Sequence, residues 1–133
     1  MRAMRLPIPV PVLLVLASLA IAGAVYADPI LSPGWRFSEQ TGEALYTNVC
    51  QACHMANGKG ATGAGRYPSL EKNPNLETDA EAVYLILHGQ GAMPAVGRMM
   101  TDEQVANVVN YIRTHFGNDY KDPVTAQDVA DVR

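Results

Sequence analysis

The feature that most constrains this 133-residue chain is a run of five residues, Cys50-Gln51-Ala52-Cys53-His54. Two thiols separated by two residues, with an imidazole directly after them, form the pattern that attaches haem covalently. Each sulfur can add across one vinyl group of the porphyrin, and His54 is then placed under the iron. We therefore predict one covalent haem c, attached at Cys50 and Cys53 and ligated by His54.

Three other roles for a Cys-x-x-Cys pair fit the sequence less well. A thioredoxin-like dithiol lies between a strand and a helix of a βαβ unit, and no convincing run of strands precedes Cys50. A structural zinc site needs four ligands, and no second closely spaced pair of ligands is present. A disulfide between cysteines so close together closes a very small loop, which adds little stability by restricting the unfolded chain.

The first 27 residues have the pattern of a cleaved secretory signal peptide. Arg2 and Arg5 form a positive n-region, residues 10–23 form an apolar run, and small residues occupy positions 25 and 27. The apolar run is too short to span a bilayer comfortably. We predict export to the periplasm, cleavage after residue 27 and no stable membrane insertion afterwards; an uncleaved anchor is the alternative.

The remaining residues, 28–133, have the length of a single domain. The full chain carries 10 basic and 13 acidic residues, and removal of residues 1–27 takes away two arginines but no acid. The mature chain is therefore acidic, which argues against a nucleic-acid partner and favours partners with locally basic surfaces. Because both cysteines are assigned to the haem, helix packing and the porphyrin must supply the core.

Proline and glycine make residues 28–37 an irregular lead-in, within which Trp35 is expected to cover the core. Ser38 is the expected N-cap of a first helix, because two glutamates follow it in the early turns. This helix keeps an apolar face and delivers the Cys-x-x-Cys-His motif.

Three further helices are predicted, and no strand pair is expected. Capping-box patterns that begin at Thr78 and Thr101 predict two helices, which Gly89 and Gly117 are expected to end. A short last helix is predicted over residues 126–132. The fold class is therefore all-α.

The second axial ligand of the iron decides between electron transfer and gas chemistry. Met93 is our choice, because it lies in a glycine-rich loop and the proline after it fixes the backbone. Met55 adjoins the proximal histidine and cannot reach the far face of the haem. Met99, Met100 and His88 are the alternatives, although methionine is most often core filler.

Residues 66–68 are the expected surroundings of the haem. The other ring nitrogen of the proximal histidine needs a carbonyl or carboxylate partner, and the carbonyl of Pro68 is the candidate. Arg66 offers a charged fork and Tyr67 a hydroxyl to the haem propionates. The alternative for both is an ordinary surface loop.

Residues 38–117 resemble the class I c-type cytochromes. The shared features are a helix that runs into the haem motif, a middle helix, Met93 followed by a proline, and a last helix that carries Tyr111. The resemblance implies the cytochrome c fold, with three to five helices wrapped round one haem. It also implies that the first and last helices cross where Gly42 meets Tyr111, and it agrees with Pro68 behind the histidine.

The end of the chain is similar to the ends of cytochrome subunits of periplasmic alcohol, sugar and alkylphenol dehydrogenases. The residues that carry this likeness are 110–118 and 123–129. The likeness implies a flavin- or quinone-dependent dehydrogenase as electron donor, and an oxidase or another cytochrome of the respiratory chain as acceptor. Multihaem versions carry three Cys-x-x-Cys-His motifs, whereas this chain has one.

We therefore predict a periplasmic electron carrier with one haem, which is not an enzyme by itself. Its domain would span residues 38–117, and the tail at 118–133 is a predicted docking element for the partner. The alternative is a five-coordinate haem protein that binds gases or reacts with peroxide, which requires that Met93 does not ligate.

Overall fold

The structure is a computed structural model that describes residues 35–63 and 65–133. The predicted signal peptide at 1–27 and most of the lead-in lie outside the described residues, so the domain boundaries there stay predictions. No helix within the described ranges is long and apolar enough to cross a membrane. The described elements, in chain order, are α1 (Gly42–Leu45), a π-helical turn (Tyr46–Cys50), α2 (Gln51–His54), β1 (Ala61–Thr62), β2 (Arg66–Tyr67), a 3₁₀ turn (Pro74–Leu76), α3 (Asp79–His88), a second 3₁₀ turn (Val96–Met99), α4 (Asp102–Thr114) and α5 (Ala126–Val132).

The first helix begins later than the sequence predicts. Its N-cap is Thr41, whose hydroxyl accepts a hydrogen bond from the backbone N–H three residues on (3.2 Å), so the assignment of Ser38 is wrong. The reason lies in α4, where the side-chain amide of Gln104 donates to the carbonyls of Phe37 (2.9 Å) and Glu39 (2.7 Å). These two hydrogen bonds tie the backbone of residues 37–39 to α4, and the helix begins only after them.

Trp35 does not cover the core. Its side chain is 89% exposed, so the prediction of a core position is wrong. The partly buried residue that packs against the core at this end is Phe37.

Helices α1 and α4 cross at Gly42, as the resemblance implied. A Cβ atom at Gly42 would clash with the backbone oxygen of Asn107 and lie 2.7 Å from Cβ of Tyr111. Only a residue without a side chain allows the two backbones to approach this closely.

The later helices begin where the sequence predicts, although their caps differ. Thr101 and Gln104 form a complete capping box at the start of α4. Thr78 is the N-cap of α3, but its side chain makes no capping hydrogen bond. Gly89 ends α3 with a φ of 74°, as expected for a glycine at this position.

Helix α4 ends at Thr114 rather than near Gly117, which corrects the predicted stop. The hydroxyl of Thr114 donates to the carbonyl of Asn110 (2.8 Å), and the Nδ1 atom of His115 lies 2.8 Å from the carbonyl of Tyr111. Side chains therefore provide hydrogen-bond partners for the last carbonyls of the helix. The backbone leaves the helical conformation before Gly117.

The expectation of no strand pair is also wrong in detail. Strands β1 and β2 pair antiparallel, with Ala61 opposite Tyr67 and Thr62 opposite Arg66. Two-residue strands are too short to show an alternating pattern in sequence. The pair is part of the chain that leads from the haem motif to Pro68, and it does not change the helical class of the fold.

One apolar core joins the helices and includes the C-terminal tail. Val124 and Val129, both from the tail, are buried at 4% and 0% exposure. The same core contains the apolar stripe of α4 that the sequence predicts, namely Val105, Val108, Val109 and Ile112. The tail is thus packed against its own domain.

Candidate haem-binding site

A cavity of about 430 Å³ lies between the Cys-x-x-Cys-His motif, the loop around residue 68, helix α3 and the loop that follows α3. Its inner wall is apolar and comes mainly from α3 and α4, through Ala82, Ile86, Val108 and Ile112. All the site residues that the sequence predicts line this one cavity: Cys50, Cys53, His54, Arg66, Tyr67, Pro68 and Met93.

A second, open groove of about 530 Å³ lies over the crossing of α1 and α4. Its lining includes Thr41, Asn107 and Thr114, and it contains no cysteine, histidine or methionine. The groove therefore offers neither a thiol for covalent attachment nor a ligand for iron.

The two cysteines lie at the junction of the π-helical turn and α2. The N–H of Gln51 bonds to the carbonyl of Tyr46 in the i→i+5 pattern, which is rare and often marks functional sites. Cys50 and Cys53 are both free thiols and partly buried. Burial raises the pKa of Cys50 to about 12, with a smaller contribution from Cys53, so this thiol is neutral at pH 7.

The ring of His54 faces the loop that contains Pro68. Its Nδ1 atom lies 3.0 Å from the carbonyl oxygen of Pro68. With the proton on Nδ1, this atom donates to the carbonyl and Nε2 keeps its lone pair for a metal. A Cβ atom on Gly60, whose φ is 63°, would lie 2.7 Å from the same carbonyl oxygen. The absence of a side chain at Gly60 therefore leaves space for the carbonyl oxygen of Pro68.

The backbone after His54 is held by a buried tyrosine. The hydroxyl of Tyr46 donates to the carbonyl of Met55 (2.7 Å) and lies 3.5 Å from that of His54. Met55 has a φ of 64°, a strained value for a residue with a side chain. Burial raises the pKa of Tyr46 to about 12, so the hydroxyl keeps its proton and remains a donor.

Met93 lies in a tight turn directly after α3. Its N–H and carbonyl exchange hydrogen bonds with the carbonyl and N–H of Gln90, at 2.9 and 3.0 Å. Gly91, inside the turn, has a φ of 57°. A Cβ atom on Gly89 would lie 2.6 Å from the carbonyl oxygen of Met93. The methionine position thus depends on two glycines, one for conformation and one for space.

The other methionines and histidines differ in their access to the cavity. Met100 also lines it and is 2% exposed, which makes it both a core residue and the strongest alternative ligand. Met55, Met99 and His88 are absent from the cavity wall. The ring of His88 packs on Tyr84 at 4.5 Å, on the exposed side of α3.

The donor set fits a covalently attached haem. Two thiols, one imidazole and two thioethers, those of Met93 and Met100, border a single cavity whose inner wall is apolar. These are the ligand types that c-type haem uses. Among the residues the structure describes, no group of three or more His, Cys, Asp or Glu side chains could hold a separate metal ion. Sequence reasoning missed Tyr46 as a supporting residue, since it belongs to no local motif.

Alanine at Gly89 is expected to damage this site. The positive φ and the clash with the carbonyl of Met93 should together lower the free energy of unfolding by about 2 kcal/mol. Gly91→Ala is the matched control, because Gly91 also has a positive φ but has no atom within 4 Å of an added Cβ. Urea unfolding of the two matured variants compares them, and equal losses of stability would contradict the close approach at Gly89.

Comparison with known proteins agrees with this geometry. Residues 38–112 match the family model described as cytochrome c oxidase, cbb3-type, subunit III. The match covers more than half of the chain, so the chain belongs to this family of cytochrome c domains. The cofactor of the family is a covalent c-type haem, and Cys50 and Cys53 fit its attachment motif.

Individual relatives of the chain are also cytochromes. The chain is 35% identical over 122 residues to the gluconate 2-dehydrogenase cytochrome c subunit of Pantoea cypripedii, a match that covers 80% of this chain and 27% of the relative. It is 37% identical over 112 residues to the fructose dehydrogenase cytochrome subunit of Gluconobacter japonicus, covering 69% and 22%. Cytochrome c6 of Gloeothece citriformis is 28% identical over 99 residues, covering 72% of this chain and 88% of the relative.

The chain spans about a quarter of the length of the dehydrogenase subunits that it matches. The predicted all-α cytochrome c fold and the predicted haem c are confirmed by the family match and by the helical structure.

Proposed function

We propose that this protein is an electron carrier of the periplasm, with one haem c that takes up and releases one electron at a time. The observation that carries this proposal is that two thiols, an imidazole and the thioether of Met93 line one cavity with an apolar inner wall. When bound, the haem supplies an iron that changes between two oxidation states. The names of the relatives, all cytochromes, support electron transfer over gas binding or peroxide chemistry.

In this proposal Cys50 and Cys53 would hold the haem by thioether bonds, and His54 and Met93 would ligate its iron. The carbonyl of Pro68 fixes the tautomer of His54, because an Nδ1–H that donates to it leaves Nε2 free for the iron. The turn at Gln90 fixes the backbone of Met93. Both ligands lie on backbone segments that hydrogen bonds hold in place. If both stay bound while the electron is transferred, the structure changes little between the two oxidation states.

We assign Arg66 and Tyr67 to the haem propionates. Both lie on β2 and line the cavity, and both remain exposed. Arg66 forms no salt bridge with another residue in the described ranges, so its charge is available to a carboxylate.

The proposed donor is a flavin- or quinone-dependent dehydrogenase, and the proposed acceptor is an oxidase or another cytochrome of the respiratory chain. Support for the donor comes from relatives that are named as cytochrome subunits of gluconate and fructose dehydrogenases. The signal peptide predicted over residues 1–27 supports the periplasm as the location.

Docking of the tail on such a partner stays a prediction, and the structure restricts how to test it. Val124 and Val129 are buried in the domain, so deletion of the tail would damage the fold itself. The suitable change is Gln127→Lys together with Asp131→Lys, which adds positive charge at two exposed positions of the tail and leaves the buried valines in place. Unaltered electron uptake from the native dehydrogenase would contradict a docking role for this face.

An optical redox titration of the protein matured in the periplasm tests the proposed function. We expect one reversible transition with the slope of a single-electron couple, and the same reduced spectrum from either direction. Consumption of peroxide or stable binding of oxygen during the titration would instead support the five-coordinate alternative.

Co-purification with a larger flavin or quinone protein would distinguish a fixed subunit from a diffusible carrier.

A further inference from the structure

The side chain of Arg133 joins three groups at one end of the loop that carries Met93. We call residues 89–101 the Met93 loop. The Nη1 and Nη2 atoms of Arg133 donate to the carbonyls of Gly97 (3.2 Å) and Met100 (3.3 Å), and Nε lies 2.6 Å from a carboxylate oxygen of Asp102. One guanidinium thus spans the last turn of the loop and the first residue of α4.

The residue directly before this loop also contacts α5. The carbonyl oxygen of Val132 lies 3.4 Å from Nε2 of His88, the last residue of α3. Val132 at the end of α5 therefore contacts the residue before the Met93 loop, and Arg133 contacts the last residues of the loop and Asp102 after it.

Helix α5 is itself held in place by a buried side chain and by hydrogen bonds. The side chain of Val129 is fully buried, and Thr125 and Asp128 form a complete capping box. The segment before the helix is fixed by Asn110, whose side-chain amide both donates to and accepts from the backbone of Val124 at 2.8 Å. The contacts of Arg133 therefore start from a fixed support.

Within the loop, most hydrogen bonds are local. The 3₁₀ turn Val96–Met99 begins two residues after Pro94, and the N–H groups of Val96, Arg98 and Met100 bond to carbonyls two or three residues back. Long-range hydrogen bonds to this turn and its cap come from the N–H of Phe37, which donates to Met99 (3.3 Å), and from Arg133. A loop held largely by local hydrogen bonds opens more readily than a packed helix. Each long-range hydrogen bond therefore contributes to keeping the loop closed.

We propose that the C-terminal segment is an internal brace for the Met93 loop, with Arg133 as a positioning residue that keeps the Met93 sulfur at the iron. This rests on the proposed role of Met93 as axial ligand. The brace acts by lowering the population of an open loop in which the sulfur has left its position. A small external ligand that competes with Met93 measures that population, since its apparent affinity scales with the open fraction.

The test is a titration of the oxidised, haem-loaded protein with imidazole, followed by absorption. Arg133→Gln should bind imidazole about three- to tenfold more tightly than wild type, because it loses the ties to Gly97 and Met100. Arg133→Lys, which keeps the charge beside Asp102 but lacks the fork, should fall between the two. Thr41→Ala is the control, because it removes the cap of the distant α1 and lowers stability without touching the loop.

The outcomes separate the two proposals. If Arg133→Gln binds imidazole as weakly as wild type while Met93→Ala binds it much more tightly, the brace is wrong and the ligand assignment stands. If Thr41→Ala tightens binding as much as Arg133→Gln, the effect is general loss of stability and the brace is again wrong. If Met93→Ala binds no more tightly than wild type, the assignment of Met93 fails and the brace falls with it.

Discussion

Replacement of Met93 by alanine is expected to remove the weak absorption band near the red end of the oxidised spectrum. This band arises from sulfur ligation, and no sulfur remains at position 93 in the variant. The reduction potential should fall by on the order of 0.1 V, because thioether ligation raises the potential of c-type haem. Absorption spectra and a redox titration of the matured protein measure both effects.

Two other methionines provide controls for this result. Met99→Ala should keep the band, since Met99 does not line the cavity. Met100→Leu should also keep it, because leucine preserves the volume of this buried residue and Met100 is assigned to the core. Retention of the band in Met93→Ala together with its loss in Met100→Leu would move the ligand to Met100.

Replacement of Arg113 by methionine is expected to cause the largest loss of stability, about 3 kcal/mol. Arg113 is fully buried, and its guanidinium donates to the carbonyls of Leu76 (2.9 Å), Glu77 (3.0 Å) and Asp122 (2.5 Å). Methionine fills the space but leaves these acceptors without donors. Chemical unfolding of the two matured proteins measures the difference.

An exposed cation in the same tail is the control for Arg113. Lys121 pairs with Asp119 at 2.5 Å, and both side chains are more than three-quarters exposed. Lys121→Met should therefore change stability by less than about 0.5 kcal/mol. Similar losses in Lys121→Met and Arg113→Met would show that the buried hydrogen bonds of Arg113 matter little.

The pH dependence of stability adds a second readout for Arg113. Hydrogen bonding from Arg113 lowers the pKa of Asp122 below its ordinary value of 3.8. A carboxyl group with a lowered folded-state pKa stabilises the protein above pH 3.8, and this contribution is lost as the pH falls further. The acid-induced loss should therefore be smaller in Arg113→Met than in wild type.

The fold was predictable where a local pattern determines the structure. The capping box at Thr101 and the short helix over residues 126–132 appear as predicted, because caps depend on residues three positions apart. The start of α1 was missed because Gln104, distant in sequence, binds the lead-in backbone. The stop of α4 was missed because the side chains of Thr114 and His115 serve the last carbonyls.

In the candidate site, too, the residues of local motifs could be predicted and those that depend on distant contacts could not. The haem motif and the Met93 loop could be found from residue types and spacing. The structure brings Pro68 to 3.0 Å from His54, a contact that the resemblance also implies. Tyr46 and Arg133 could not be found in this way, because each acts through backbone carbonyls that only the folded chain brings near. The packing of the tail into its own domain was not predicted either, because Val124 and Val129 meet the rest of the core only in the folded chain.

Addition of carbon monoxide to the reduced wild-type protein, under native conditions, tests the central claim most directly. If His54 and Met93 occupy both axial positions, no site is open to the gas, and the reduced spectrum should stay unchanged over minutes. A rapid change of the spectrum without denaturation would show an open axial position. That result would contradict the electron-carrier account and favour a haem that binds gases or reacts with peroxide.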